Sequence, residues 1–321
     1  MVKINDVKFS DVYVTPDKKA FIPDGKTRNG LALLPAEDFE EFYKQLQEAW
    51  DGHNPSYSLL YEGVFYRIER TMSIYGPQYC GRKMPKQVPP LSTLGFDQNL
   101  VTYLKSLSNA SGLILWAGPT GQGKTTSLSA LLKEYLQSEG GFAYTIEDPC
   151  EMPLDGVYQA RSGGLGLCKQ NIPPNGDWGA GLKSALRSKP RYILVGEIRT
   201  PETASEALRA ATSGHLVLSS IHGNNITDAI NSVVKYASST SMSEELAYDL
   251  FSRGMLGVLH QMLVGVGAAR HPQLTYLFAN PDTNKGDQVR GIIKGGKLNL
   301  ATSIETQMTR LSKGMNMFPD L

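Results

Sequence analysis

Three cysteines, Cys80, Cys150 and Cys168, are all that the 321 residues contain, too few and too scattered for a disulfide scaffold or a four-thiolate zinc site. A reducing compartment is the expectation. An excess of one charge is missing as well: 32 lysines and arginines face 31 acids, a formal net charge of +1. Overall electrostatics therefore select neither nucleic acid nor anionic lipid as a partner. Long hydrophobic runs are also lacking. Met1 to Lys8 holds no continuous apolar stretch that could act as a secretory signal. The most apolar late stretch, Met255 to Ala269, is interrupted by His260 and Gln261 and falls short of the roughly 20 residues that span a bilayer. These absences predict a soluble, cytoplasmic chain, and leave open its peripheral attachment to a membrane machine through a protein partner. No internal repeat or low-complexity block stands out.

What is present is one dense cluster of phosphate chemistry. Gly118, Pro119, Thr120, Gly121, Gln122, Gly123, Lys124, Thr125 and Thr126 come after the apolar run Leu113 to Ala117 and precede a helix-forming stretch through Tyr135. Strand, glycine-rich turn and helix are the context this spacing requires. Successive backbone N–H groups and the helix N-terminus attract a polyphosphate, Lys124 can reach the β- and γ-phosphates, and the Thr125 hydroxyl can ligate Mg²⁺. ATP and Mg²⁺ are the cofactors expected.

The chain changes texture near residue 90. Before it, Val12 to Val14, Leu59 to Tyr61 and Val64 to Ile68 read as short strands. Pro35 precedes a helix whose Phe39, Phe42, Leu46 and Trp50 form one apolar stripe. These elements predict a small α+β domain over residues 1–90, closed by the stiff linker Lys86 to Leu91. Residues 91–321 alternate strands and helices: strands at Phe142 to Ile146, Tyr192 to Val195 and Leu216 to Ile221, and helices at Ala180 to Ser188 and Glu202 to Ala211. That alternation predicts an α/β fold with a mostly parallel sheet and its chemistry at the strands' carboxyl ends. A helix from Ser243 to Leu259, a polar hairpin-like region at 270–293 and a helix from Ile304 to Leu311 complete the expectation.

Two acidic segments turn phosphate binding toward hydrolysis. Glu147 and Asp148 come directly after the strand ending at Ile146, where they could hold the metal's water or polarise the attacking one; a plain Asp-Pro turn is the alternative. Glu197 lies just past the apolar strand Ile193 to Val195 and is the first choice for the base that orients water; the alternative is an exposed acid paired to Arg199. His215 and His222 flank a third strand. His222 suits contact with phosphate, and His215 suits a structural or coupling role beside the nucleotide.

Together these segments resemble the secretion-ATPase superfamily, the hexameric traffic ATPases of type II and type IV secretion, conjugation and type IV pili. In that family's terms Gly118 to Thr125 looks like Walker A, Thr145 to Pro149 like the acidic box, Leu194 to Glu197 like Walker B and Gly214 to His222 like the histidine box. Ser10 to Val14 and Pro90 to Gly95 extend the likeness to the opening strand and to the entry of the catalytic domain. The resemblance implies a RecA-like P-loop NTPase core with a PAS-like N-terminal domain, a homo-hexamer docked to an inner-membrane platform, and no nucleic-acid substrate. It also implies catalytic arginines from the small domain, at Arg67, Arg70 and Arg82. Among the branches the chain looks closest to DotB-like and conjugative TraJ-like type IVB proteins, then to PilT-like retraction ATPases. It departs from the family pattern at Ser188 to Arg191, where an acidic pair is common, so metal support shifts toward Glu147, Asp148 and Glu197. It departs from the retraction signature at Val289 to Ile293. A slowly hydrolysing, nucleotide-gated interaction protein is the competing class, and a helicase or DNA-packaging enzyme a third, for which no concentrated basic face is visible.

Overall fold

The computed structural model describes residues 2–25, 27, 29–239, 242–265, 270–282 and 286–318. The chain divides into two compact units, Met1–Gln87 with Glu151–Pro153, and Val88–Cys150 with Leu154–Leu321.

The first unit is one antiparallel sheet with a helix on it. Its elements are β1 (Asp11–Val14), β2 (Ala20–Pro23), β3 (Leu31–Leu33), α1 (Phe39–Glu48), β4 (Ser56–Tyr61), β5 (Val64–Ser73) and β6 (Gly76–Lys83), in the spatial order β3-β2-β1-β6-β5-β4. Phe42 and Leu46 of α1 are fully buried, and the Phe42 ring stands edge-on to Tyr61 and Tyr66 at 5.1 and 5.0 Å. Such pairs stabilise beyond the apolar area they bury. Trp50, the fourth member of the expected stripe, lies past the end of α1, where its ring stacks under the Arg70 guanidinium at 3.7 Å.

The second unit is built around an eight-stranded sheet. Its elements are α2 (Gln98–Ser106), β7 (Gly112–Ala117), α3 (Lys124–Ser138), β8 (Gly141–Ile146), β9 (Gly156–Gln159), β10 (Leu165–Asn171), α4 (Trp178–Arg187), β11 (Tyr192–Val195), α5 (Pro201–Thr212), β12 (Leu216–Ile221), α6 (Ile226–Ser238), α7 (Glu244–Gly254), β13 (Met255–Val264), β14 (His271–Phe278), α8 (Gln288–Lys294) and α9 (Ala301–Ser312). The strand order is β14-β13-β7-β12-β11-β8-β10-β9. Strands β13 through β10 run parallel, and only the outermost two are antiparallel to their neighbours. Strands β7, β11 and β12 are buried at every position; β7 and β11 therefore read as unbroken apolar runs, and β12 carries Ser219 and Ser220 within its run. On one face Leu113, Leu115 and Ala117 of β7 join Leu182, Ala207, Ile230 and Phe251 from α4 to α7 in a single core. Helix starts are set locally. Asp97, Asp177, Thr200, Asn225 and Ser243 each accept a bond from a first-turn N–H, and Pro201 sits where its missing donor costs nothing.

The late segment departs from expectation. The helix predicted from Ser243 to Leu259 stops at Gly254, and the chain continues as strand β13. Gly254 packs against Ala211 and Thr212. Met255 to Leu259 are buried between β7 and β14, so this short apolar run takes ladder bonds from both neighbours in place of helical ones. The region 270–293 is not a self-contained hairpin. Its first part is β14, which pairs back on β13, and its end is α8. Residues 266–269 of the apolar stretch and 283–285 of the expected hairpin lie outside the described residues.

Candidate functional site

The phosphate-type loop leaves β7 near the middle of the sheet and enters α3, a helix of 15 residues. Gly118 has φ 145°, and a Cβ there would stand 2.4 Å from the carbonyl oxygen of Gln261 on β13, so no side chain fits. Gly123, at φ 81°, turns the chain into the helix in a left-handed conformation that favours glycine. The N-terminus of α3 therefore carries a run of glycine N–H groups uncovered by side chains, an arrangement that draws anions. Lys124 is buried, and its Nζ donates to the carbonyls of Gly118 at 2.7 Å and Pro119 at 2.9 Å. Thr125 and Thr126 are half-buried in the first turn, while Thr120 and Gly121 are exposed at the loop's tip.

The acids stand at the same end of the sheet. Val195 of β11 is in register with Ile146 of β8, so Glu147 lies beside Gly196 and one residue from Glu197 across the two strand ends. Glu147 is 2% exposed and accepts a bond from Gln170 Nε2 at 3.0 Å. Gln170, on β10, in turn takes the N–H groups of Leu154 and Asp155 on its Oε1. Asp148 is exposed. The carboxyl end of β11 is laced to β12: Ser219 Oγ donates to Val195 O, Ser220 Oγ donates to Gly196 O, and Ile198 N donates to Ser220 O. That lacing holds Glu197 in place. Its Oε2 takes a bond from Arg199 Nε at 2.5 Å, and its Oε1 stands 2.8 Å from His222 Nε2, outside hydrogen-bond angles. Of the alternative expected for Glu197 the pairing to Arg199 is present and the exposure is not, since the acid is buried at the carboxyl end of the parallel strands. Among the described residues no cluster of three or more His, Cys, Asp or Glu could hold a metal by itself. A Mg²⁺ ion carried on substrate phosphates needs only one or two protein oxygens, and the Thr125 hydroxyl in the first turn of α3 is a donor of that kind.

Some residues singled out in the sequence do not join this group. His215 precedes β12, whose Leu216 is in register with Gly112, the first residue of β7. It therefore stands at the amino end of the strands, about 20 Å from the loop. There its Nδ1 lies 2.7 Å from the carbonyl oxygen of Pro190, and its expected place beside the nucleotide is corrected to an anchor. The turn Ser188 to Arg191 is at that same far end, so an acidic pair there could not reach a metal at the loop. In the first unit, Arg67 and Arg82 are partners on β5 and β6 and share the outer face with Asp11, Glu69 and Cys80. Arg82 Nε is bonded to Asp11 Oδ1 at 2.9 Å, and Arg67 is exposed. Arg70, three residues beyond Arg67 on β5, points to the other face, onto Trp50. Gln261, in the sequence only a polar break in the stretch Met255 to Ala269, meets the loop at Gly118 and Gly123. Its signal was a lone amide inside an apolar run.

A family profile described as "Type II/IV secretion system protein" matches residues 64–281. The type II secretion system protein E of Pseudomonas aeruginosa is 39% identical over 208 residues, which cover 63% of this chain and 38% of that protein. The competence protein ComGA of Bacillus subtilis is 34% identical over 175 residues, 54% of this chain and 47% of that one. The match thus spans less than half of these relatives' length. Among solved structures, the pilus retraction motor PilT with bound ADP superposes with a TM-score of 0.72 at 25% identity, covering 95% of this chain and 87% of that one. The ATPase DotB of Legionella pneumophila has a TM-score of 0.70 at 20% identity over 97% and 90% of the two chains, a likeness of fold. The mixed α/β architecture, of P-loop NTPase type with a small N-terminal domain, is shared with these structures.

Proposed function

The chain belongs to the type II/IV secretion system protein family, and from that premise we propose that it is an ATP-hydrolysing motor of the secretion and pilus machines. The observation that carries the proposal is that the glycine loop with Lys124 and Thr125 after β7, Glu197 after β11 and Glu147 after β8 all stand at the carboxyl end of one parallel sheet, with β12 between β7 and β11. Loop and helix N–H groups would take the triphosphate, and Lys124 would exchange the carbonyls of Gly118 and Pro119 for phosphate oxygens. Thr125 would hold the metal, with Glu147 and Asp148 supporting its waters; bound there, Mg²⁺ would neutralise charge on the phosphoryl group. Glu197 would receive the proton of the attacking water. Arg199 and His222 keep its carboxylate from swinging away. The exposed Arg67 and Arg82 would serve a neighbouring subunit's nucleotide in a homo-hexamer, and Arg70, turned onto Trp50, would act by stiffening that sheet.

Within the family, the retraction-type reading has the stronger support, because PilT combines the higher identity with nearly complete coverage of this chain. A type IVB role is the second reading, favoured by the DotB fold likeness over 97% of the chain and by the departure from the retraction signature at Val289 to Ile293, which here forms part of α8. In both, the motor would dock on inner-membrane platform proteins. Among the described residues no helix is long and apolar enough to cross a membrane. The test is Lys124→Ala, which removes the cation at the polyphosphate. Nucleotide binding and ATP turnover are expected to be lost with the fold retained by circular dichroism; wild-type values for both would overturn the proposal.

A further inference from the structure

We propose that Gln261 is a positioning residue: from strand β13 its amide holds the phosphate loop in the shape that presents N–H groups to the nucleotide. The inference rests on the loop being the nucleotide site and adds a residue that none of the motifs contains.

Gln261 is 2% exposed, and each end of its amide has a separate task. The oxygen, Oε1, faces the rigid part of the unit and accepts from Trp116 Nε1 on β7 at 2.7 Å and from Ser127 Oγ on α3 at 2.8 Å. The nitrogen, Nε2, faces the loop and donates to the Gln122 carbonyl at 2.5 Å. Gln122 answers across the same gap, its Oε1 accepting from Leu263 N at 2.6 Å. Beside this exchange, Gly118 is pressed against the Gln261 carbonyl so closely that any Cβ would collide with it. The loop is therefore held at its first glycine and at the residue before its last, both times by β13.

Peptide geometry gives this clamp its consequence. A trans peptide is planar, and its C=O and N–H point in opposite directions. With the Gln122 carbonyl held toward Gln261, the Gly123 N–H is turned away from β13, among the groups offered to an anion at the head of α3. Were the Nε2 bond absent, that peptide could flip, exchanging a donor for a carbonyl dipole at the phosphates. Only an amide does this work, because the group must accept on one side and donate on the other. A glutamate would set a carboxylate oxygen against the Gln122 carbonyl, and a methionine would fill the space without bonding.

Titration with a fluorescent ATP analogue and Mg²⁺, beside steady-state ATPase assays and thermal midpoints, tests the proposal on the full chain with Gln261→Met, Gln261→Glu, Gln122→Ala, Trp116→Phe and Lys124→Ala. Gln261→Met is expected to weaken nucleotide binding about tenfold or more and to raise KM more than it lowers kcat. Gln122→Ala removes only the answering bond from Leu263 N and keeps the carbonyl that Gln261 holds, so binding should stay within about threefold of wild type; Gln261→Glu, which keeps an oxygen toward Trp116 and Ser127 and loses the donor, should weaken binding as Gln261→Met does and decides the matter if Gln261→Met does not fold. Trp116→Phe removes one donor from the same amide yet spares its arm onto the loop, so it should lower the thermal midpoint while binding stays within about twofold of wild type. Wild-type affinity in both Gln261 variants, with binding lost in Lys124→Ala, would overturn the clamp and leave the nucleotide site standing. Affinity that tracks the thermal midpoint across all the variants would overturn it in favour of plain core packing. Unchanged binding in Lys124→Ala would refute the nucleotide-site reading itself.

Discussion

At the scale of single residues, the carboxylate of Glu197 is held between the Arg199 guanidinium and the His222 imidazole, which restrict where it can point. Glu197→Gln keeps the size and most of the hydrogen bonding and removes the proton acceptor. Turnover is expected to fall by about 10²- to 10⁴-fold while nucleotide affinity stays near wild type. Single-turnover assays check it, and full activity would pass the role to Glu147. His260 offers a pH test. Burial holds its imidazole below the ordinary value of 6.5, aided by the Lys124 charge and opposed by a bond to the Gly223 backbone and by Asp228. Its folded-state value is thus lower than its unfolded one. The stability it contributes is complete above pH 6.5 and is lost as the pH falls toward the folded value, because the unfolded chain protonates first. Thermal midpoints should therefore drop as the pH falls from about 7.5 to about 5.5, and His260→Gln should flatten that drop. Parallel curves for variant and wild type would exclude the effect.

At the scale of elements, the closest contact is Gly118 against β13. Gly118→Ala puts a methyl into a carbonyl oxygen at a φ that L-residues rarely adopt, and a cost of about 2–4 kcal/mol is expected from strain and overpacking together. Differential scanning calorimetry should show the lower transition, and an unchanged one would mean that β13 yields easily. What could be read in advance divides along physical lines. Strands β7, β11 and β12 were legible because burial on both faces makes each a mainly apolar run ended by glycine or a polar turn. Glu147 and Glu197 were legible because they stand at the ends of such runs. Strand β13 was not, since Met255 to Leu259 continue the spacing of α7 and only the neighbours β7 and β14 make a strand of it. Strands β2, β3, β6, β9 and β10 were passed over for want of long apolar alternation; their ladders come from pairing. His215 was misplaced although the clue was available. A strand parallel to β7 carries its first residue to the end opposite the loop.

At the scale of the whole molecule, the proposed ring is open to direct measurement. Native mass spectrometry with an ATP analogue and Mg²⁺ is expected to give six copies, and a fully active monomer would refute the ring. Mixtures of Lys124→Ala with Arg67→Ala or Arg82→Ala subunits should recover part of the activity that each variant lacks alone, since each supplies what the other is missing; no recovery would remove the arginines from a neighbour's site. Motion in such a motor would be shaped by the central strands of the second unit. Strands β11 and β12 are fastened at both extremities, by His215 to Pro190 and by Leu216 N to Arg191 O at one, and by the Ser219 and Ser220 hydroxyls and the His222–Glu197 pair at the other. In such a motor, two strands so fastened would move as one plank. A push at the acids of the proposed nucleotide site would then be felt about 20 Å away at the Lys189–Arg191 corner, which makes that corner the place to attach a spin label and watch the stroke.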